Sequence, residues 1–187
     1  LDRLGYAGHA LDLPGAGDDT TDRSRVTFES YVRAVNTFIA AKNLDDIMLV
    51  GHSLAGIILP DIVADNRDRV REVVFIAALV LDQGERAIDL IAPDRVPQYY
   101  QLAEDSPEYV LILPSELARK RFFSDMSDAE ARAAYAKLTP QPFGPYLGAA
   151  KFGAHTFSTL SRYIICQQHQ NFAFRLSRSF AEKLSGA

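Results

Sequence analysis

The sequence predicts an α/β fold, a mostly parallel sheet flanked by helices, and two observations carry that expectation. The first is a pair of near-continuous apolar runs, residues 47–50 and 73–79, whose lack of polar alternation marks strands covered on both faces, as parallel strands are. The second is helical periodicity on either side of the first run. Phe28, Tyr31, Val32, Val35, Phe38 and Ile39 recur at intervals of three and four before it, and the apolar residues of 54–63 follow it at roughly helical spacing. Strand, helix and strand in this order make a crossover unit that should be right-handed.

Taken in order, residues 1–5 read as the tail of a helix closed by Gly5, and 6–13 as a short strand running into the loop Pro14-Gly15-Ala16-Gly17-Asp18-Asp19. Thr27 caps the first long helix and Asn43 ends it. The 47–50 strand then meets the 54–63 helix with no room for a loop, so the turn must be sharp. Gly51 and Ala55 lie two residues either side of Ser53, where a larger side chain would collide as the backbone doubles back, and the serine is lifted onto an exposed tip. Residues 66–71 are a polar connector into the 73–79 strand.

From 83 to 147 the periodicity changes. Prolines at 93, 97, 107, 114, 140, 142 and 145 punctuate short helical pieces, with aromatic pairs at Tyr99-Tyr100 and Phe122-Phe123. One helix starts at Pro114-Ser115-Glu116, and the capping box Ser127-Asp128-Ala129-Glu130 starts another that runs to about Leu138. No strand of the main sheet is expected there, so 83–147 reads as a helical cap, with 1–82 and 148–187 forming the core. Residues 162–167 are the next buried strand, and Phe172, Leu176, Phe180 and Leu184 mark one stripe of the final helix.

Composition narrows the class. The 187 residues suffice for one domain with a sizeable core, and 48% hydrophobic with 24% charged residues is ordinary for a folded globular chain. A net charge of −4, with the longest basic cluster Arg119-Lys120-Arg121 on one helix face, argues against a nucleic-acid surface, and no stretch approaches a membrane span. The single cysteine, Cys166, lies in an apolar run and cannot form an internal disulfide, which suits a structural role in a reducing cytoplasm. The chain begins at Leu1 without methionine, so its true start is expected upstream.

Chemistry concentrates at the sharp turn. A hydroxyl at a helix start sits in the positive end of the helix dipole, and the Leu54 N–H is free to bind a developing oxyanion. An activated serine also needs a base and an acid that orients the base. Of the four histidines, His9 lies in the first strand and His52 inside the turn, both read as structural for the base role, while His155 follows the cap and His169 the last strand.

These motifs together resemble one family. Gly51-His52-Ser53-Leu54-Ala55 matches the G-x-S-x-G nucleophile elbow but for Ala55, the 11–19 stretch resembles D-x-P-G-x-G, and Leu138-Thr139-Pro140-Gln141-Pro142 resembles L-x-P-Q-P. The chain is similar over residues 4–184 to the α/β-hydrolases, within them to the esterase and hydroxynitrile-lyase branch. The resemblance implies an α/β-hydrolase fold with a helical cap, incomplete at both termini. It further implies Ser53 as nucleophile, Leu54 as oxyanion donor, structural roles for Asp12 and Asp19, and no metal or organic cofactor. Cys166-Gln167-Gln168-His169 resembles C-x-Q-D, where the last residue is the triad acid, so His169 stands where a carboxylate is expected. Asp82, beyond the 73–79 strand, is the alternative acid, and His169 acting directly on Ser53 is another arrangement. His52, Tyr99, Phe122 and Phe123 are the candidates for substrate contact, the cap rings reading equally as cap core.

The function so implied is hydrolysis of a small, apolar carboxylic ester through an acyl-enzyme, with a small molecule as the partner and neither nucleic acid nor membrane. Two rivals stand beside it: lyase chemistry on a cyanohydrin-like substrate, and a non-catalytic module that keeps the pocket. The family extends past both ends of this sequence, where the second oxyanion donor and the catalytic histidine would lie, so little turnover is expected from residues 1–187 by themselves.

Overall fold

The computed structural model describes residues 2–153, 158–167 and 174–185. A single 3-10 turn, Asp2–Leu4, precedes Gly5 at φ +78°, after which residues 6–12 are exposed and without regular structure. This corrects the strand expected at 6–13. Extended backbone is stabilised by a neighbouring strand that pairs its N–H and C=O groups, and the described sheet offers this segment none.

Helix α1, Phe28–Ala41, opens at a reciprocal cap in which the Ser30 N–H donates to Thr27 Oγ1 (3.2 Å) and the Thr27 N–H to Ser30 Oγ (2.8 Å). Asn43, at φ +46°, turns the chain toward β1, Ile47–His52. The single helix expected next is two elements. A 3-10 turn, Ser53–Ile58, leads into α2, Leu59–Asp65, whose Pro60 stands in the first turn where a missing N–H costs nothing. Strand β2, Val70–Ile76, follows.

The segment from 83 to 147 holds α3, Val96–Glu104; β3, Val110–Leu111; α4, Ser115–Phe122; α5, Asp128–Tyr135; and β4, Gln141–Pro142. Strands β3 and β4 pair only with each other, antiparallel, and add nothing to the main sheet. Their two residues apiece are too few for a period-2 pattern to show. The Ser127–Glu130 capping box forms in both directions. Strand β5, Leu160–Ile164, and α6, Phe174–Ser185, complete the described chain. Strand β5 was expected to reach 167 and to contain Cys166. It stops where Ile164 makes the last pair with Ile76, because Ala77 at φ +41° turns β2's chain away, and Cys166 is half-buried beyond it.

The main sheet is parallel throughout, in the order β1-β2-β5. Its inner face, with Val73 and Phe75, packs against Phe28 and Ile39 of α1, Ile62 and Val63 of α2, and Phe180 of α6 in one buried cluster. On the outer face the described residues leave apolar side chains exposed. By register Met48, Val50, Leu160 and Ile164 share it, and they are 41%, 51%, 54% and 49% exposed. Glu72 and Arg162 form an ion pair between them. Two smaller clusters lie in the 83–147 segment, one around Ile88, Ala103 and Phe143, the other around Ala118, Phe123 and Ala131. No described helix is long and apolar enough to cross a membrane.

Candidate active site

Ser53 stands at the junction of β1 and the 3-10 turn with φ +52°, in the left-handed region that a residue with a Cβ seldom adopts. One hydrogen bond and two close backbone approaches frame this turn. The Leu79 N–H donates to the Ser53 carbonyl (3.0 Å), tying the turn to the chain beyond β2. A Cβ at Gly51 would come within 2.8 Å of the Leu59 side chain. At Gly56 it would come within 2.3 Å of the Leu79 carbonyl oxygen, so Gly56 is the residue that lets two backbones touch. Sequence reasoning overlooked Gly56. Ala55 beside it is only half-buried, which is why the position accepts a methyl group.

A cavity of about 330 Å³ opens beside the serine, lined by Ser53, Leu54, His52, Asp12, Tyr31 and Gln141, with Leu11, Leu13 and two alanines. The Leu54 N–H, at the start of the 3-10 turn, lies among the donors that the turn's own carbonyls do not reach. Tyr31, on α1, is 3% exposed, and burial pushes its phenol above the usual value against an opposing hydrogen bond from Gln141. That bond, Gln141 Nε2 to Tyr31 Oη at 3.0 Å, joins α1 to β4 across the cavity. Gln141 belongs to the L-x-P-Q-P segment, and neither it nor Tyr31 was singled out by sequence. Both are polar members of otherwise apolar or motif positions, a signal too weak to separate from packing.

The other candidates scatter. His52 lines the cavity but is exposed on the outer face of β1, and His9 packs its ring edge-on to Phe38 at 5.8 Å. Tyr99 packs beside Tyr146 in one satellite cluster and Phe123 is buried in the other, with Phe122 beside it 48% exposed; none of the three lines the cavity. The Asp82 carboxylate is bound by Lys183 Nζ of α6 at 2.8 Å. His155 and His169 lie outside the described residues. Asp12 and Asp19 bond their own loop: Asp12 accepts from the Asp18 N–H (3.3 Å), and Asp19 accepts from the N–H groups of Gly15 and Thr21 (2.8 Å each). Those bonds, led by the one from Gly15, hold the Asp19 carboxyl below its usual value. Among the described residues no three His, Cys, Asp or Glu side chains are grouped to hold a metal ion.

Known proteins match this chain. The model of the alpha/beta hydrolase fold family matches residues 1–171. A carbendazim hydrolyzing esterase of Nocardioides sp. (strain SG-4G) is 32% identical over 98 residues, which are 50% of this chain and 40% of that protein. The pheophorbidase of Raphanus sativus is 26% identical over 155 residues, 79% of this chain and 59% of that protein. An extracellular α/β-hydrolase from a Paenibacillus species superposes with a TM-score of 0.78 at 27% identity, covering 87% of this chain and 66% of that one. The curated relatives matched are covered over 40% to 59% of their own length.

Proposed function

The chain belongs to the α/β-hydrolase fold family, in its esterase branch, and from that premise we propose that Ser53 is the nucleophile of a carboxylic ester hydrolase. The observation that carries the reading is the positive φ of Ser53 in the tight turn between β1 and the 3-10 turn, at the centre of the Gly51-His52-Ser53-Leu54-Ala55 motif and on the wall of the cavity. In the first half-reaction Ser53 Oγ bonds to the ester carbonyl carbon, its proton passes to a base and on to the departing alcohol, and the carbonyl oxygen becomes an oxyanion facing the Leu54 N–H. Water then attacks the acyl-serine and releases the acid. Leucines 11, 13 and 54 beside the serine favour a small, apolar ester. The 83–147 segment serves as the lid, reaching the cavity through Gln141.

The test is labelling with a fluorophosphonate and mass-spectrometric mapping, beside a Ser53→Ala control. Ser53 is expected to be the most reactive hydroxyl of the chain. Modification of another serine with Ser53 untouched would overturn the assignment.

A further inference from the structure

The amide of Gln141 decides where the proton of a buried phenol goes. Gln141 Nε2 lies 3.0 Å from the carbonyl oxygen of Pro142 and 3.0 Å from Tyr31 Oη. A peptide carbonyl only accepts, so the atom facing it must be the amide nitrogen, and the second N–H of that nitrogen then donates to Tyr31. The Tyr31 oxygen is therefore an acceptor in this pair, and its own O–H is left over. No described residue accepts it. A buried hydroxyl proton without an acceptor is costly, and the cavity that Tyr31 and Gln141 both line is the one that Ser53 lines.

We infer that the Tyr31 hydroxyl is a specificity-determining donor, which selects ligands presenting a carbonyl oxygen to the cavity beside Ser53. The inference rests on reading that cavity as the substrate pocket. Asp12, His52, Ser53 and Gln141 line the cavity beside Leu11, Leu13 and Leu54, so the contribution of the Tyr31 hydroxyl is the part of the preference for an oxygenated ligand that is lost when that hydroxyl alone is removed. Burial keeps the phenol protonated across the working range, so the donor is not lost by ionisation at neutral or moderately alkaline pH. Gln141 acts as a positioning residue: it occupies a lone pair on the phenol oxygen and thereby fixes which way the proton turns.

The test compares phenylacetone with n-propylbenzene, a matched pair differing by a carbonyl for a methylene, by NMR titration of the 187-residue chain. Tyr31→Phe is expected to lower the ratio of ketone to hydrocarbon affinity about tenfold, the value of one hydrogen bond realised in a buried site. Gln141→Glu should do the same with the hydroxyl still present, because a carboxylate would capture the phenol proton, an outcome that simple loss of packing would not give. A ratio that Tyr31→Phe leaves unchanged or, should that variant not fold, that Gln141→Glu leaves unchanged, overturns the inference. Fluorophosphonate labelling keeps the two readings apart. A labelled Ser53 with an unchanged ratio sinks the donor and spares the nucleophile, while a lowered ratio without labelling does the reverse.

Discussion

A serine held at φ +52° gives up about 1–2 kcal/mol relative to ordinary backbone, in a turn braced by the Leu79 N–H and closed tightly over the bare Cα atoms of Gly51 and Gly56. A prediction separates that strain from chemistry. Both Ser53→Gly and Ser53→Ala remove the nucleophile, but only glycine relieves the positive φ. Ser53→Gly should be the more stable of the two by about 1 kcal/mol, somewhat less than the strain because glycine also gains freedom in the unfolded chain. Urea unfolding of the two variants measures this, and equal midpoints would show that the turn is unstrained. At this scale the spacing Gly51, Ser53, Ala55 was legible, since the elbow is a local motif. Gly56 was not, because the atom it makes room for belongs to Leu79, and no short window contains both. The Tyr31–Gln141 bond was hidden for the same reason, its partners standing 110 residues apart.

Between elements, α6 is joined to the chain beyond β2 by Lys183, whose Nζ lies 2.8 Å from both Asp82 and Glu85. Burial works against the charged ammonium, but the two carboxylates outweigh it and raise the Lys183 pKa above the usual 10.5. A raised folded-state value means that the pair contributes fully below the unfolded pKa and that its contribution is lost as pH rises through the folded one. Lys183→Met should therefore cost about 1 kcal/mol at neutral pH, and the difference from wild type should shrink in the strongly alkaline range, above 10.5. Thermal melts of both proteins from pH 7 upward check this; a difference that stays constant would mean that Lys183 acts by packing alone. The ion pair also shows why Asp82 read as a triad acid. Its place after an apolar strand was visible in the sequence, whereas the lysine that binds it comes 101 positions later on another helix. Helices with side-chain caps, α1 and α5, were legible at their starts because capping is local; residues 6–13 were misread as a strand because pairing is not.

For the whole molecule, the sheet sets how well the site can be held. Strand β1, which delivers Ser53, is the edge strand of the described sheet, bonded to β2 on one side, and its outer side chains Met48 and Val50 are exposed. The fold class was readable because two apolar runs alternate with helical periodicity, but the cover expected on both faces of the 47–50 and 162–167 strands is not found among the described residues, where Met48, Val50 and Ile164 are exposed. An apolar run looks the same whether or not something covers its second face. Besides β2, the described brace on the elbow is the Leu79 N–H bond to the Ser53 carbonyl, and a displacement of the hydroxyl near 1 Å would cost about a hundredfold in rate. The proton chemistry bears on turnover more directly. Among the described residues no hydrogen bond links the Ser53 hydroxyl to a base, His9 is committed to Phe38, and the Asp82 carboxylate to Lys183. The resemblance of residues 166–169 to C-x-Q-D implies that His169 stands at the acid position, and an imidazole lacks the negative charge that stabilises an imidazolium. Loss of a triad base lowers turnover by about 10⁴-fold or more while leaving binding and oxyanion effects in place. The 187-residue chain should thus react with a fluorophosphonate yet hydrolyse p-nitrophenyl acetate barely faster than its Ser53→Ala variant. Serine-dependent turnover at ordinary enzyme rates would overturn this, and would direct the search for the base to His155 and His169.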